Sequence, residues 1–242
     1  MAEINLKESF PYCKREPKPN WRTEENKRIA RRYDKEFFDG ERINGYGGYY
    51  YDGRWKSVVN KLKEVYGIDN KSAVLDIGCA KGFLLFDLQD MLPGIKVAGI
   101  DISTYAVNKA MDGYANYLMK NGFNKENAYN LEEKARRTIL PPMIIGSAES
   151  LPWPDNSFDL VLSITTLHNL SEDKMKKAIQ EMNRVCRNPK NMFIEVDAYR
   201  TPEEKERMKN WVLTAETVKS VDEWLKFFDE CEYKGDYYWM IA

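Results

Sequence analysis

The feature that most constrains this chain is a short strand that ends in an acid and runs into a bend holding two glycines: Ala73-Val-Leu-Asp-Ile-Gly-Cys-Ala-Lys-Gly-Phe83. An apolar run of strand length is followed by glycines, and then by Phe83, Leu84, Phe86, Asp87 and Leu88 in a helical segment that Pro93-Gly94 closes. That order reads as strand, turn and helix. From about Ser72 onward the alternation repeats, with strands expected at 73–77, 96–100, 143–145, 158–164 and 192–196. Helices are expected at 105–120, with Ser103 as N-cap, and at 172–186. A long charged connection at 122–141 holds a short expected helix at 131–137. Strands alternating with helices predict an α/β fold, a doubly wound and mostly parallel sheet flanked by helices.

The two ends of the chain depart from this alternation. After residue 198 the pattern loosens into a charged helix from Pro202, a helix at 221–231 and a last strand at 237–241 whose partner the sequence does not reveal. Near the N-terminus, 29–38 reads as helix. The segment Asn44-Gly-Tyr-Gly-Gly-Tyr-Tyr-Tyr-Asp-Gly-Arg-Trp55 cannot hold a regular helix, because glycine is too permissive there. It is expected as an ordered loop leading into a helix at 56–66. Residues 1–55 are accordingly expected as an N-terminal cap or lid and 56–242 as the main domain.

The glycine bend limits the ligand. A mononucleotide P-loop requires Gly, four residues, then Gly-Lys-Ser/Thr, but Phe83 follows Gly82 and the spacing from Gly78 is wrong. A dinucleotide fingerprint requires glycines two and five positions after the first, where this chain has Ala80 and Phe83. The remaining pattern, Asp-x-Gly-x-x-x-Gly, resembles motif I of the class I, Rossmann-like S-adenosylmethionine-dependent methyltransferases. The resemblance implies a ligand with an amino-acid tail, S-adenosyl-L-methionine, with S-adenosyl-L-homocysteine as product and no metal. Asp76 would meet the methionine ammonium, while Gly78 and Gly82 let backbone approach.

Two further segments carry the same resemblance in the same order. Gly99-Ile-Asp101-Ile-Ser places an acid at the tip of the second strand, 19 residues past Gly82, where it can accept both ribose hydroxyls. On its own, Asp101 reads equally as an acid at a helix N-terminus. Gly146-Ser-Ala-Glu-Ser-Leu-Pro-Trp-Pro-Asp-Asn-Ser-Phe-Asp159 resembles the family's adenine-edge loop, with Ser147 where many relatives have Asp. The residues implied for the cofactor are therefore Asp76, Gly78, Cys79, Gly82, Asp101, Ile102, Ser147, Ala148, Glu149 and Ser163, with Thr165 bordering the same site. The resemblance covers roughly residues 56–198. More loosely, the whole chain is similar to small bacterial methyltransferases of surface-glycan biosynthesis.

Methyl transfer from a sulfonium is an in-line displacement that depends mainly on positioning, with a base required for hydroxyl or protonated amine acceptors. His168, the only histidine, follows the fourth strand and is a candidate base; the alternative is a helix-capping role. Glu195 and Asp197 lie on one side of the fifth strand by alternation and either could orient an acceptor. Tyr199 and Arg200 follow at the same rim. Tyr46, Tyr49, Tyr51 and Trp55 either line an acceptor pocket or fasten the N-terminal segment. Arg54 either binds an acceptor anion or does not face it.

Composition sets the remaining bounds. Hydrophobic residues at 43% and charged residues at 31% of 242 exclude wholesale disorder. No apolar run approaches membrane-spanning length, and the first 16 residues do not read as a secretory signal. A net charge of −1 gives no general attraction to nucleic acid. The bases Lys14, Arg15, Lys18, Arg22, Lys27, Arg28, Arg31 and Arg32 interleave with acids and read as a solvated helix rather than an RNA-binding arm. Cys13, Cys79, Cys186 and Cys231 form no C-x-x-C pair, which disfavours zinc and fits a reducing cytoplasm. The expected partner is a small-molecule acceptor, with no membrane. Monomer and homodimer both stay open, as do two other functions: an RNA or protein methyltransferase, and a non-catalytic cofactor-binding subunit.

Overall fold

All five residues of β1 (Ala73–Ile77) are buried, which requires a central strand covered on both faces. The computed structural model describes residues 1–10, 17, 21–110 and 142–242. Within these, α1 (Glu24–Ala30), α2 (Lys35–Phe38) and α3 (Trp55–Tyr66) precede β1. After β1 come α4 (Phe83–Met91), β2 (Lys96–Asp101) and α5 (Thr104–Asn108). Then follow β3 (Met143–Ile145), β4 (Leu160–Ile164), a 3-10 turn at Leu167–Asn169, α6 (Glu172–Val185) and β5 (Met192–Tyr199). The chain ends with α7 (Pro202–Trp211), β6 (Lys219–Ser220), α8 (Val221–Glu230) and β7 (Asp236–Met240).

The sheet order is β3-β2-β1-β4-β5-β6, with β7 also paired to β5, and each of these pairings is parallel. This is the doubly wound, Rossmann-like arrangement that the alternation predicts. Strand order reverses between β1 and β4, and the crevice at the carboxyl ends of strands on either side of such a reversal is where ligands bind in this architecture.

Period-two alternation sends the strands' side chains into two cores. Leu75, Ile77, Val161 and Val196 pack with Met182, Trp224 and Phe228 on the side of α6 and α8. Val74, Leu162 and Phe193 pack with Val58, Leu62, Leu85 and Leu88 on the side of α3 and α4, joined by Leu6. Asp76 pairs in register with Leu162 and so belongs to the second face.

Several expectations change. The helix at 29–38 is two helices, because Tyr33 takes a left-handed φ of 50° and Asp34 caps the second. β5 runs on to Tyr199, which places Asp197 inside the strand. The orphan last strand lies along β5, and its other edge meets Glu3. Ser103 caps α5 through a 2.9 Å bond accepted from the Ala106 amide. The helix expected at 105–120 lies in part, and the one at 131–137 wholly, outside the described residues, as do Cys13, Lys14, Arg15 and Lys18. Among the described residues no helix is long and apolar enough to cross a membrane.

Candidate active site

The bend after β1 brings two carboxylates together. Asp76 is buried on β1, and among the described residues its carboxylate has no hydrogen-bond partner. Burial, with Asp101 nearby, pushes its pKa up to about 7. Asp101, at the tip of β2, is held differently. Its Oδ2 accepts from the Ala80 amide at 2.8 Å and its Oδ1 from the Ser103 amide at 2.7 Å. Burial raises its pKa too, and those two amides oppose the rise.

The glycines serve the protein's own packing. A Cβ on Gly78 would lie 2.0 Å from Thr166 Oγ1, and one on Gly82 would lie 2.5 Å from Met143 Sδ. Both have φ above 70°. The amides of Gly78 and Cys79 donate to the Ile100 carbonyl at 2.8 and 3.2 Å. Ala80, between the two glycines, sits at a left-handed φ of 49°. Cys79 is buried, and burial beside Asp76 and Asp101 raises its thiol well above the usual range, which leaves it inert.

Around the bend, Ile102 leaves 61% of its surface open and Ile145, the register partner of Asp101, leaves 50%. Ser147 caps its own turn, accepting from the Glu149 amide at 3.3 Å, while Ala148 packs partly against the core and Glu149 faces Lys174 at 3.7 Å. Ser163 is wholly buried, and among the described residues its hydroxyl has no partner. Alternation points it to the face opposite Asp76, so its side chain does not border the recess.

The tyrosine segment closes over this rim. Tyr49 stacks on Phe83 with ring centroids 4.9 Å apart, Tyr46 lies 4.6 Å from Tyr49, and the Tyr51 hydroxyl donates to Asp87. Tyr46 keeps 43% of its surface open, yet burial pushes its phenol up to about 12, with Asp101, Asp197 and Glu195 among the charges it feels. Its open face marks the candidate recess, between the two carboxylates of the β1–β2 rim and those of β5.

A residue unremarked in the sequence holds the segment down. Lys81, in the glycine bend, is buried and donates to both oxygens of Asp39 at 2.8 and 2.7 Å and to the Tyr49 carbonyl at 2.8 Å. Asp39 also accepts from the Tyr105 hydroxyl at 2.7 Å and the Tyr49 amide at 3.1 Å. A lysine in a glycine bend carries no sequence signal for this; only the fold reveals its partner.

The β5 side of the recess is equally specific. His168 is buried and its Nδ1 accepts the Asp197 amide at 3.0 Å, so the neutral ring carries its proton on Nε2, 3.8 Å from Asp197 Oδ2. The Asp197 carbonyl accepts from Trp224 Nε1 at 3.0 Å. The backbone of Asp197 is clamped from both sides. Glu195 is completely buried and pairs with Lys7 at 2.5 Å, an N-terminal residue the sequence did not single out. Tyr199 donates to Glu223 at 3.3 Å and Arg200 pairs with Glu3 at 2.9 Å, so both rim candidates are engaged elsewhere. Arg54 is tied to Asp52 within its own turn, and its Nε lies 2.7 Å from Asp52 Oδ2. Among the described residues no group of three or more His, Cys, Asp or Glu is placed to hold a metal ion.

Residues 75–194 match the family described as "Methyltransferase domain", a span running from β1 into β5. That span, just under half of the chain, is a methyltransferase domain of the class I, Rossmann-like S-adenosylmethionine-dependent kind. Among solved structures it is similar to the YcgJ protein of Bacillus subtilis, at 20% identity over 72% of this chain and 66% of that one, with a TM-score of 0.48. It is also similar to a SAM-dependent methyltransferase of Aquifex aeolicus, at 25% identity over 53% and 58%, with a TM-score of 0.37. The [4+2]-cyclase SpnF is a third, at 19% identity over 73% and 56%, with a TM-score of 0.49. In each case the chain spans just under two thirds, or less, of the structure it matches. No curated protein matches the sequence.

Proposed function

We propose that this chain transfers the methyl group of S-adenosylmethionine to a small acceptor held between the sheet rim and the N-terminal segment. The observation that carries the reading is Asp76: a buried carboxylate without a partner, next to the amide-held carboxylate of Asp101. A buried carboxylate is stable as a charge only when paired, and the cofactor's α-ammonium is a fitting partner. Asp101 would accept the ribose hydroxyls, and the open side chains of Ile102 and Ile145 offer an apolar shelf for a flat base beside Ser147, Ala148 and Glu149. When bound, the cofactor supplies an electrophilic sulfonium methyl.

The protein's own part is to bind, orient and exclude water. Residues 1–55 act in this reading as a cap, with Tyr46 and Tyr49 as its inner surface. Asp197, not His168, is the group that orients or deprotonates the acceptor. His168 uses its lone pair on the Asp197 amide and serves as a positioning residue. Support for a metabolite acceptor, whether anionic or linked to a sugar or nucleotide, comes from this enclosure and from the absence of a strong net positive charge. A cytoplasmic setting fits the same reading.

The test is turnover. Purified protein with labelled cofactor should form S-adenosylhomocysteine with a small-molecule extract fraction. Product only with RNA or protein fractions would point to a macromolecular acceptor. Binding without product in any fraction would point to a cofactor-binding subunit.

A further inference from the structure

We propose that the acceptor carries a carboxylate or phosphate group, and that Arg22 and Arg42 bind it beside Trp211; this rests on the methyltransferase reading above. Both guanidiniums gather at one indole: the Arg22 Cζ is 5.2 Å and the Arg42 Cζ 5.7 Å from the Trp211 ring centroid. Among the described residues neither has a carboxylate within 4.0 Å. Among the described residues their side-chain hydrogen bonds go to backbone carbonyls, Arg22 Nη1 to Trp211 and Arg42 Nη1 to Gly45.

Arg22 is nine-tenths buried, with Trp21 on its other side at 4.7 Å, and its Nε–H has no partner. Two cations at one indole, without a carboxylate partner among the described residues and with one of them desolvated, are costly without an anion. Desolvation and the neighbouring Arg42 pull the Arg22 pKa down to about 10, against a smaller opposing effect of Asp197. Arg42 reaches the Gly45 carbonyl, next to Tyr46, and Trp211 ends α7, after which the Glu216 and Thr217 amides both donate to the His168 carbonyl at 3.0 Å. The pair therefore stands near Tyr46 and the His168–Asp197 end of the site. Guanidinium forks bind carboxylate and phosphate oxygens in pairs, which would fix the acceptor's anionic end and leave its other end free to face Asp197.

The test is calorimetric titration of the full chain with inorganic phosphate and with malonate, at constant ionic strength, with and without S-adenosylhomocysteine. One anion should bind per chain, and Arg42→Gln, at an exposed position, should weaken it at least tenfold while S-adenosylhomocysteine affinity stays unchanged. Arg22→Gln should do the same if it folds. Phosphate binding alone indicates a phosphorylated acceptor and malonate binding alone a carboxylic one; either supports the proposal. Failure of both anions to bind, or binding unaltered in Arg42→Gln, overturns it. Arginine-dependent anion binding by a chain that ignores S-adenosylhomocysteine would keep the site and overturn only the reading on which it rests.

Discussion

Asp76 links chemistry and stability in one side chain. With its pKa raised to about 7 by burial, the folded chain keeps a proton there that the unfolded chain releases near pH 4. Between those values the native state binds more protons, so the stability of the ligand-free protein falls as pH rises from about 4 to 7 and levels off above. Asp76→Asn should remove that slope and raise Tm at pH 8, at about 1.4 kcal/mol per unit of pKa. The same variant should bind S-adenosylhomocysteine less well. In the wild type, that affinity should weaken by up to about tenfold per unit as pH drops below 7, because an ammonium needs the ionised acid. Calorimetry from pH 5.5 to 8 reads the slope; equal slopes in wild type and Asp76→Asn would contradict the assignment. His168 gives a second test at this scale. Asparagine can place an oxygen near the position of Nδ1, so His168→Asn should keep kcat within about threefold, whereas His168→Phe strands the Asp197 amide at a cost of about 1–3 kcal/mol. A hundredfold loss of kcat in His168→Asn, with Tm unchanged, would restore the base. Arg54→Ala should leave acceptor KM unaltered, since Asp52 already takes that guanidinium.

At the scale of elements, the Lys81–Asp39 clasp decides whether the tyrosine segment sits on the rim. Lys81→Met should cost about 1–3 kcal/mol, less than a fully buried pair because Asp39 is partly wet. Limited proteolysis should then cut within residues 40–53 first, and cofactor affinity should drop; a cleavage pattern like that of wild type would show that the aromatic stacking alone holds the segment. Here the limits of the sequence are physical. β1, its bend and β2 were legible because apolar alternation and glycine spacing are local signals. The carboxylates Asp76 and Asp101 followed from them, since strand ends fix where such side chains emerge. Arg22 was read as part of a solvated basic run, yet it is buried against Trp21 and Trp211, a contact 189 residues away along the chain. Lys7, Lys81 and Asp39 likewise gain meaning only from distant partners. Which face Ser163 takes could not be read from apolar alternation, because β4 is buried along its whole length.

For the whole molecule, the proposed function puts the cofactor at the β1–β2 rim and the acceptor at the β5 end, with Tyr46 between them. A ligand spanning cap and sheet should stabilise both together. At 100 times its Kd, S-adenosylhomocysteine should add about 2.7 kcal/mol, which for a chain of this size raises Tm by roughly 5–10 °C. The most direct measurement is calorimetric titration of wild type and Asp101→Ala with S-adenosylmethionine, with circular dichroism to confirm that both are folded. Wild type should bind one equivalent, and Asp101→Ala should bind about 10- to 100-fold more weakly, the worth of hydrogen bonds to a charged group. No binding by folded wild type, or equal affinity in Asp101→Ala, would contradict the account.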